Sequence, residues 1–149
     1  MNEPTTPHDH VLYALDDGVA TITLNRPDRR NAMSTPMIEH LGDLLDHADH
    51  DPEVRVLVLT GAGRVFCAGG DVRQFDEDGG EGGGAAEVDP AAVAEQVRHQ
   101  ERTVGRIHAF TKPIIASLPG AAAGAGLGLA LAADLRIGTP RTVDRKSVV

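Results

Sequence analysis

The chain has 149 residues, enough for one domain with a sizeable core and too few for two. Its 14 Lys and Arg against 22 Asp and Glu leave a formal net charge of -8, which supplies no basic face to displace counterions from a phosphate backbone and argues against nucleic acid as a partner. Aromatic residues make up 3% of the chain and Trp is absent, so base-stacking surfaces are excluded and the core must come from Val, Leu, Ile and Ala.

Residues 1–10 are polar, lack the apolar segment of a secretory signal, and read as a disordered N-terminus. A single cysteine, Cys67, permits no internal disulfide and no thiolate metal cage; with the missing signal this points to a reducing cytoplasm. Val11 to Leu15 and Val19 to Leu24 are two β-prone runs joined by Asp16-Asp17-Gly18, the turn chemistry of a hairpin. Ser34-Thr35-Pro36 then supplies a cap and an early Pro for a helix whose apolar Met37, Ile38, Leu41, Leu44, Leu45 and Ala48 repeat at helical spacing, so that it packs on a sheet.

Val54 to Leu59 has the pattern of a buried parallel strand and runs into a glycine-punctuated loop, Thr60 to Asp71. Residues 76–89 turn to Gly, Asp and Glu and read as a flexible insertion. A helix with Val93, Val97, Val104 and Ile107 along one face comes next, ending before Pro113. Ile114 to Leu118 is a second buried strand, turned by Pro119-Gly120 into Ala121 to Ala133, which reads as the start of an Ala/Gly-rich helix, with a further strand over Asp134 to Ile137. Pro119 and repeated glycines interrupt this apolar region and make it a poor membrane span. Residues 139–149 form an irregular tail with no element to cover the apolar run before it, so the sheet is expected to expose apolar surface. No internal repeat is visible.

Walker A, His-Glu-x-x-His and Gly-x-Ser-x-Gly patterns are all missing. Gly61-x-Gly63 and Gly124-x-Gly126 lack the third glycine of a dinucleotide fingerprint, with Phe66 and Leu129 in those places. His40, His47 and His50 share a charged helix and read as a solvated face rather than a metal site. What remains is one design used twice, a strand leading to a small-residue turn and a helix start. Such turns bring backbone N–H groups close to a ligand without Cβ obstruction, and the helix end adds partial positive charge.

Three blocks, Val19 to Met33, Arg64 to Val72 and Lys112 to Asp134, resemble the enoyl-CoA hydratase/isomerase (crotonase) family, in family order and across residues 11–138. The resemblance implies an α/β fold of the ClpP/crotonase type, a ββα superfamily, here C-terminally truncated. It further implies an acyl-CoA thioester as substrate, with no other cofactor and no metal. Its carbonyl oxygen would be held by the backbone N–H groups of Gly70 and Ala125. Such paired donors stabilise enolate charge that develops only in the transition state. By the same resemblance Arg29 and Arg30 lie where the family contacts CoA, either meeting its phosphates or forming an exposed charge pair. Ala68, Asp71, Val72 and Arg73 would border the adenine and pantetheine, although Asp71 also reads as the cap of a short helix. Cys67 reads as a small buried filler.

The family's hydratases carry a catalytic Glu three residues after the second donor, where this chain has Gly128. Glycine cannot exchange a proton, so the resemblance leans toward isomerases and lyases that use one carboxylate from beyond the Asp134 to Ile137 strand. Full-length members assemble as homotrimers or hexamers. The alternative reading is a non-catalytic acyl-CoA-binding or scaffold protein, or an inactive fragment.

Overall fold

A computed structural model describes residues 7–71, 90–142 and 144–145. Strands β1 (Val11–Asp16) and β2 (Val19–Leu24) form the expected antiparallel hairpin, with Val11 opposite Leu24 and Asp16 opposite Val19. Its two turn residues, Asp17 at φ 41° and Gly18 at φ 79°, are both left-handed, as the right-handed twist of a tight hairpin requires. Structure begins earlier than the polar composition suggests: Pro7–His10 form a 3-10 turn, and the His10 carbonyl accepts the Asn25 N–H.

From β2 onward the main sheet is parallel. Its order is β1-β2-β3-β5-β7, with β3 (Val56–Gly61), β5 (Ile114–Leu118) and β7 (Leu135–Gly138). A second sheet of three short parallel strands has the order β4-β6-β8: β4 (Val65–Cys67), β6 (Ala121–Ala123) and β8 (Asp144–Arg145). Strands β3, β5 and β7 each lead into a strand of this second sheet, and helices come after β4 and β6, which is the ββα repeat the resemblance implies.

The second sheet corrects three sequence expectations. Val65–Cys67 is a strand inside what reads as a loop, and Ala121–Ala123 is a strand where the alanines suggest helix. Ala122 pairs with Cys67 and with Asp144, so cross-strand partners override the helix propensity of alanine. Asp144 and Arg145 likewise gain a sheet partner in a tail read as irregular. The β5–β6 turn works only with glycine, since a Cβ on Gly120 would overlap the Arg64 carbonyl oxygen.

Helix α1 (Thr35–His50) buries Met37, Ile38, Leu41, Leu45 and Ala48, as its spacing predicts, and packs against β1 and β2. Ser34 occupies its N-cap with extended backbone, but the hydroxyl makes no capping hydrogen bond; Pro36 lies in the first turn. The core extends through Ile22, Leu24, Leu57, Leu59, Phe66, Ile114 and Leu129.

The predicted second helix is α2 (Pro90–Gln100), continued by a π-helical turn, Glu101–Gly105, into α3 (Arg106–His108). The wider π turn rotates α3 relative to α2, and the expected apolar face divides: Val93 and Val97 are exposed, whereas Ile107 is buried. Arg102 and Arg106 face α1, where Arg102 Nη2 lies 2.6 Å from Asp43 Oδ1 and Arg106 Nε lies 2.6 Å from Asp46 Oδ1. The final helix, α4 (Ala125–Ala132), starts directly after β6. Strand β7 forms the sheet edge with Leu135 and Ile137 61% and 59% exposed, the uncovered apolar surface expected from the sequence.

Gly120→Ala is expected to lower stability by about 1–3 kcal/mol through the forced shift at the Arg64 carbonyl. Urea unfolding monitored by circular dichroism checks this, and an unchanged midpoint would show that the β5–β6 turn can yield.

Candidate active site

The carboxyl ends of the parallel strands β2, β3 and β5 open into three connections, 25–33, 61–71 and 119–125, on one side of the sheet, where open α/β sheets generally bind ligands. What positions these connections is a polar residue. Asn31 is fully buried at φ 55°, a left-handed conformation that Asn tolerates better than most residues. Its Nδ2 donates to the carbonyls of Ala62 (3.0 Å), Val65 (2.7 Å) and Phe66 (3.2 Å), and its Oδ1 accepts the Arg26 N–H at 2.9 Å.

Around Asn31 the two connections pair. Ala68 N–H donates to Arg30 O (3.0 Å), Met33 N–H to Gly69 O (2.8 Å) and Asp71 N–H to Met33 O (2.9 Å). Arg26 Nη1 adds bonds to Ala32 O at 2.6 Å and to Asp71 Oδ2 at 3.0 Å. Asp71 is therefore held by Arg26, and the helix it was expected to cap lies outside the described residues. In this pairing the Gly70 N–H has no acceptor among the described residues, and the residue is exposed.

The third connection abuts the second. A Cβ on Gly69 would lie 3.1 Å from the Ala123 carbonyl and 3.5 Å from the Ala125 nitrogen; Gly69 sits at φ 104° and avoids both the contact and the strain. Gly126 rests directly on Cys67, since a Cβ there would be 2.6 Å from the Cys67 Cβ and 2.7 Å from its sulfur. Gly124, at φ 51°, makes the turn into α4, which leaves Ala125 as the first helical residue, exposed, with its N–H free of any acceptor among the described residues.

Ala125 and Gly128 form one wall of a cavity of about 410 Å³, whose opposite wall is Val97, Glu101 and Val104 from α2 and the π turn. A Cβ on Gly128 would stand 3.4 Å from Val104 Cγ2, so the two walls approach closely there. Another cavity, of about 400 Å³, lies at the far end of the hairpin between Leu15, Asp17 and Arg55, away from these connections.

Arg29 and Arg30 both sit at the exposed rim of connection 25–33, Arg29 with its Nε 3.6 Å from Asp28 Oδ2 and Arg30 left-handed at φ 52°. Ala68 is exposed beside them through its bond to Arg30. Val72 and Arg73 lie outside the described residues. Cys67 is fully buried and donates to the Asn31 carbonyl at 3.1 Å; burial pushes its thiol from an ordinary 9.0 up to about 11, only partly offset by the Gly69 N–H. Among the described residues no cluster of three or more His, Cys, Asp or Glu could hold a metal ion, and no helix is long and apolar enough to cross a membrane. Sequence reading missed Asn31, Arg26 and Glu101. The buried Asn31 has no signature in a local pattern, because three of the four partners of its side chain lie 31 to 35 residues away.

Residues 19–144 match the family described as enoyl-CoA hydratase/isomerase. The chain is 42% identical over 133 residues to a probable enoyl-CoA hydratase of Mycobacterium tuberculosis, covering 89% of this chain and 48% of that protein. It is 37% identical over 134 residues to the 1,2-epoxyphenylacetyl-CoA isomerase of Escherichia coli, covering 87% and 47%. The crystal structure of an enoyl-CoA hydratase/isomerase from Xanthobacter autotrophicus superposes with a TM-score of 0.82 at 32% identity, covering 92% of this chain and 48% of that one. The chain spans about half the length of the curated relatives it matches.

Two outcomes test this framework. Asn31→Ala strands three carbonyls and one N–H and is expected to cost about 3–5 kcal/mol in urea unfolding. A loss below about 1 kcal/mol would mean that water replaces the side chain. The Cys67 thiol keeps its proton in the fold between pH 9.0 and about 11 while the unfolded chain loses it. Stability should therefore fall as pH rises through that window, by at most about 3 kcal/mol. Comparison with Cys67→Ala isolates the effect, and parallel stability profiles for the two proteins would refute it.

Proposed function

The chain belongs to the enoyl-CoA hydratase/isomerase family, and on that footing we propose that it binds an acyl-CoA thioester whose carbonyl oxygen accepts hydrogen bonds from the Gly70 and Ala125 N–H groups. The observation that carries this reading is the presence, on abutting glycine-rich turns, of two exposed residues whose N–H groups have no acceptor among the described residues. Ala125 adds the positive end of the α4 dipole. A thioester carbonyl placed there gains most when its oxygen becomes an enolate, because the donors are already oriented and their stabilisation grows with the charge.

The chemistry we assign is isomerase-like rather than hydratase-like. Removing a proton next to the carbonyl sends its C–H electron pair into the C–C bond and the carbonyl π pair onto oxygen. In a β,γ-unsaturated thioester this gives a dienolate, and returning the proton at its γ-carbon moves the double bond to the α,β position while the oxygen pair re-forms the carbonyl; one carboxylate suffices for both transfers. Addition of water as the family's hydratases perform it uses a second carboxylate, and Gly128 brings none. Relatives of both kinds support the coarser family assignment equally. In this reading Arg29 and Arg30, exposed at the rim, meet the CoA phosphates, and Ala68 and Asp71 border its adenine and pantetheine with Val72 and Arg73. The full-length protein would assemble as a homotrimer or hexamer.

The missing carboxylate at position 128 favours a second reading, an acyl-CoA-binding protein without catalysis. The two separate in α-proton exchange, which a binding protein that keeps the two donors but no acid would not catalyse; the carbonyl shift tests the donors themselves. [1-13C]Butyryl-CoA bound to this chain should show a downfield carbonyl shift, and Ala125→Pro should abolish most of it. Proline is well tolerated at the first position of a helix; it removes the donor and puts its ring Cδ where the amide hydrogen pointed. The same substitution should slow α-proton exchange by about 100- to 1000-fold. Binding with no carbonyl shift would sink the oxyanion reading and leave the binding protein.

A further inference from the structure

We propose that Glu101, in the π-helical turn between α2 and α3, is the carboxylate that moves the substrate proton in this chain, a role that rests on the acyl-CoA reading above. It shares one cavity with Ala125, the second N–H donor, and with Gly128, where the side-chain acid is missing. Among the described residues Glu101 is the only ionisable side chain in that cavity's walls; the rest are aliphatic or glycine, apart from the neutral amide of Gln100. An acyl chain extending from a carbonyl at Ala125 along this open cavity would lie against Val97 and Val104, with the Glu101 carboxylate at its exposed wall.

Three features favour the assignment. The two arginines of the π turn and α3 are engaged elsewhere: Arg102 is paired with Glu39, Asp43 and Asp46, and Arg106 with Asp46 and Asp49, all on α1. The Glu101 side chain is exposed and has no ion-pair partner among the described residues, so its carboxylate is free to meet a ligand. Finally, the π turn starts at Glu101, and widening a helix by one residue re-aims the side chains at that point, a distortion that recurs at functional sites.

The step balances without any further reagent. A Glu101 carboxylate oxygen takes the α-proton of the thioester, and the C–H electron pair becomes the C–C π bond of the enolate. The carbonyl pair moves to the oxygen facing Gly70 and Ala125, and the carboxylic acid returns a proton to carbon. In D2O the acid exchanges before returning it, so a saturated thioester acquires α-deuterium with no net reaction.

The experiment is α-deuterium incorporation into [1-13C]butyryl-CoA by the 149-residue chain, with the carbonyl shift and the Kd read on the same samples. Glu101→Gln should reduce incorporation by about 100-fold or more while the Kd changes less than about threefold and the carbonyl shift persists. Glu101→Asp should restore part of the rate. Incorporation by Glu101→Gln within about threefold of the unsubstituted chain overturns the assignment, as does a chain that binds and polarises the thioester yet incorporates no deuterium. Either result leaves the oxyanion reading standing. Failure to bind butyryl-CoA removes that reading, and the role of Glu101 with it.

Discussion

The constraint on which the rest of the structure depends is that the connections at the carboxyl end of the sheet must be fixed in place while having little regular secondary structure of their own. Asn31 meets it. One buried amide satisfies three carbonyls from the β3–β4 connection and one N–H from the β2–α1 connection, so neither segment can shift without stranding polar groups out of water. The parallel pairing of residues 30–33 with 68–71 is the consequence. It uses the N–H groups of Ala68 and Asp71 and leaves that of Gly70 without an acceptor among the described residues.

The second constraint is distance. Turns that approach as closely as 67–70 and 123–126 have no room for side chains, and the chain meets this with glycine on both sides. Gly126 seats on Cys67, and Gly69 passes the Ala123 carbonyl. Cys67 suits its place because a thiol is small, tolerates burial and still donates to the Asn31 carbonyl. Its raised pKa and lack of exposure make it a packing element rather than a nucleophile. Gly70 differs from these glycines: no described residue lies within 4 Å of a Cβ built on it, so close packing within the described residues does not require its smallness.

Charge is distributed to match. The long acidic face of α1 is turned onto Arg102 and Arg106, which fastens the π turn to the body of the protein from one side. The opposite side of that turn is left to the cavity with Ala125 and Gly128. The π turn is thus tied to α1 by ion pairs on one face and lines a mostly apolar cavity on the other. The same arrangement explains why Val97 is exposed: it lines that cavity rather than the core.

Local chemistry was enough to read the hairpin, α1 and its buried positions, the parallel strands β3 and β5, and the two small-residue turns, because each depends on spacing or turn residues within about a dozen positions. The resemblance carried the ββα repeat and is the source of the proposed donor positions. Not legible were β4, β6 and β8, whose two or three residues show no strand pattern and exist only because partners distant in sequence, Val65 with Ala121 and Ala122 with Asp144, complete their hydrogen bonds. The same holds for the burial of Asn31, the Arg26–Asp71 pair and the placement of Glu101 opposite Gly128. The amino-acid order by itself determined most of the strands, helices and glycine turns, since propensity and periodicity are local properties. Only tertiary structure decided which polar groups meet, because a hydrogen bond or a shared cavity between distant residues is a consequence of packing and leaves no periodic trace in the chain.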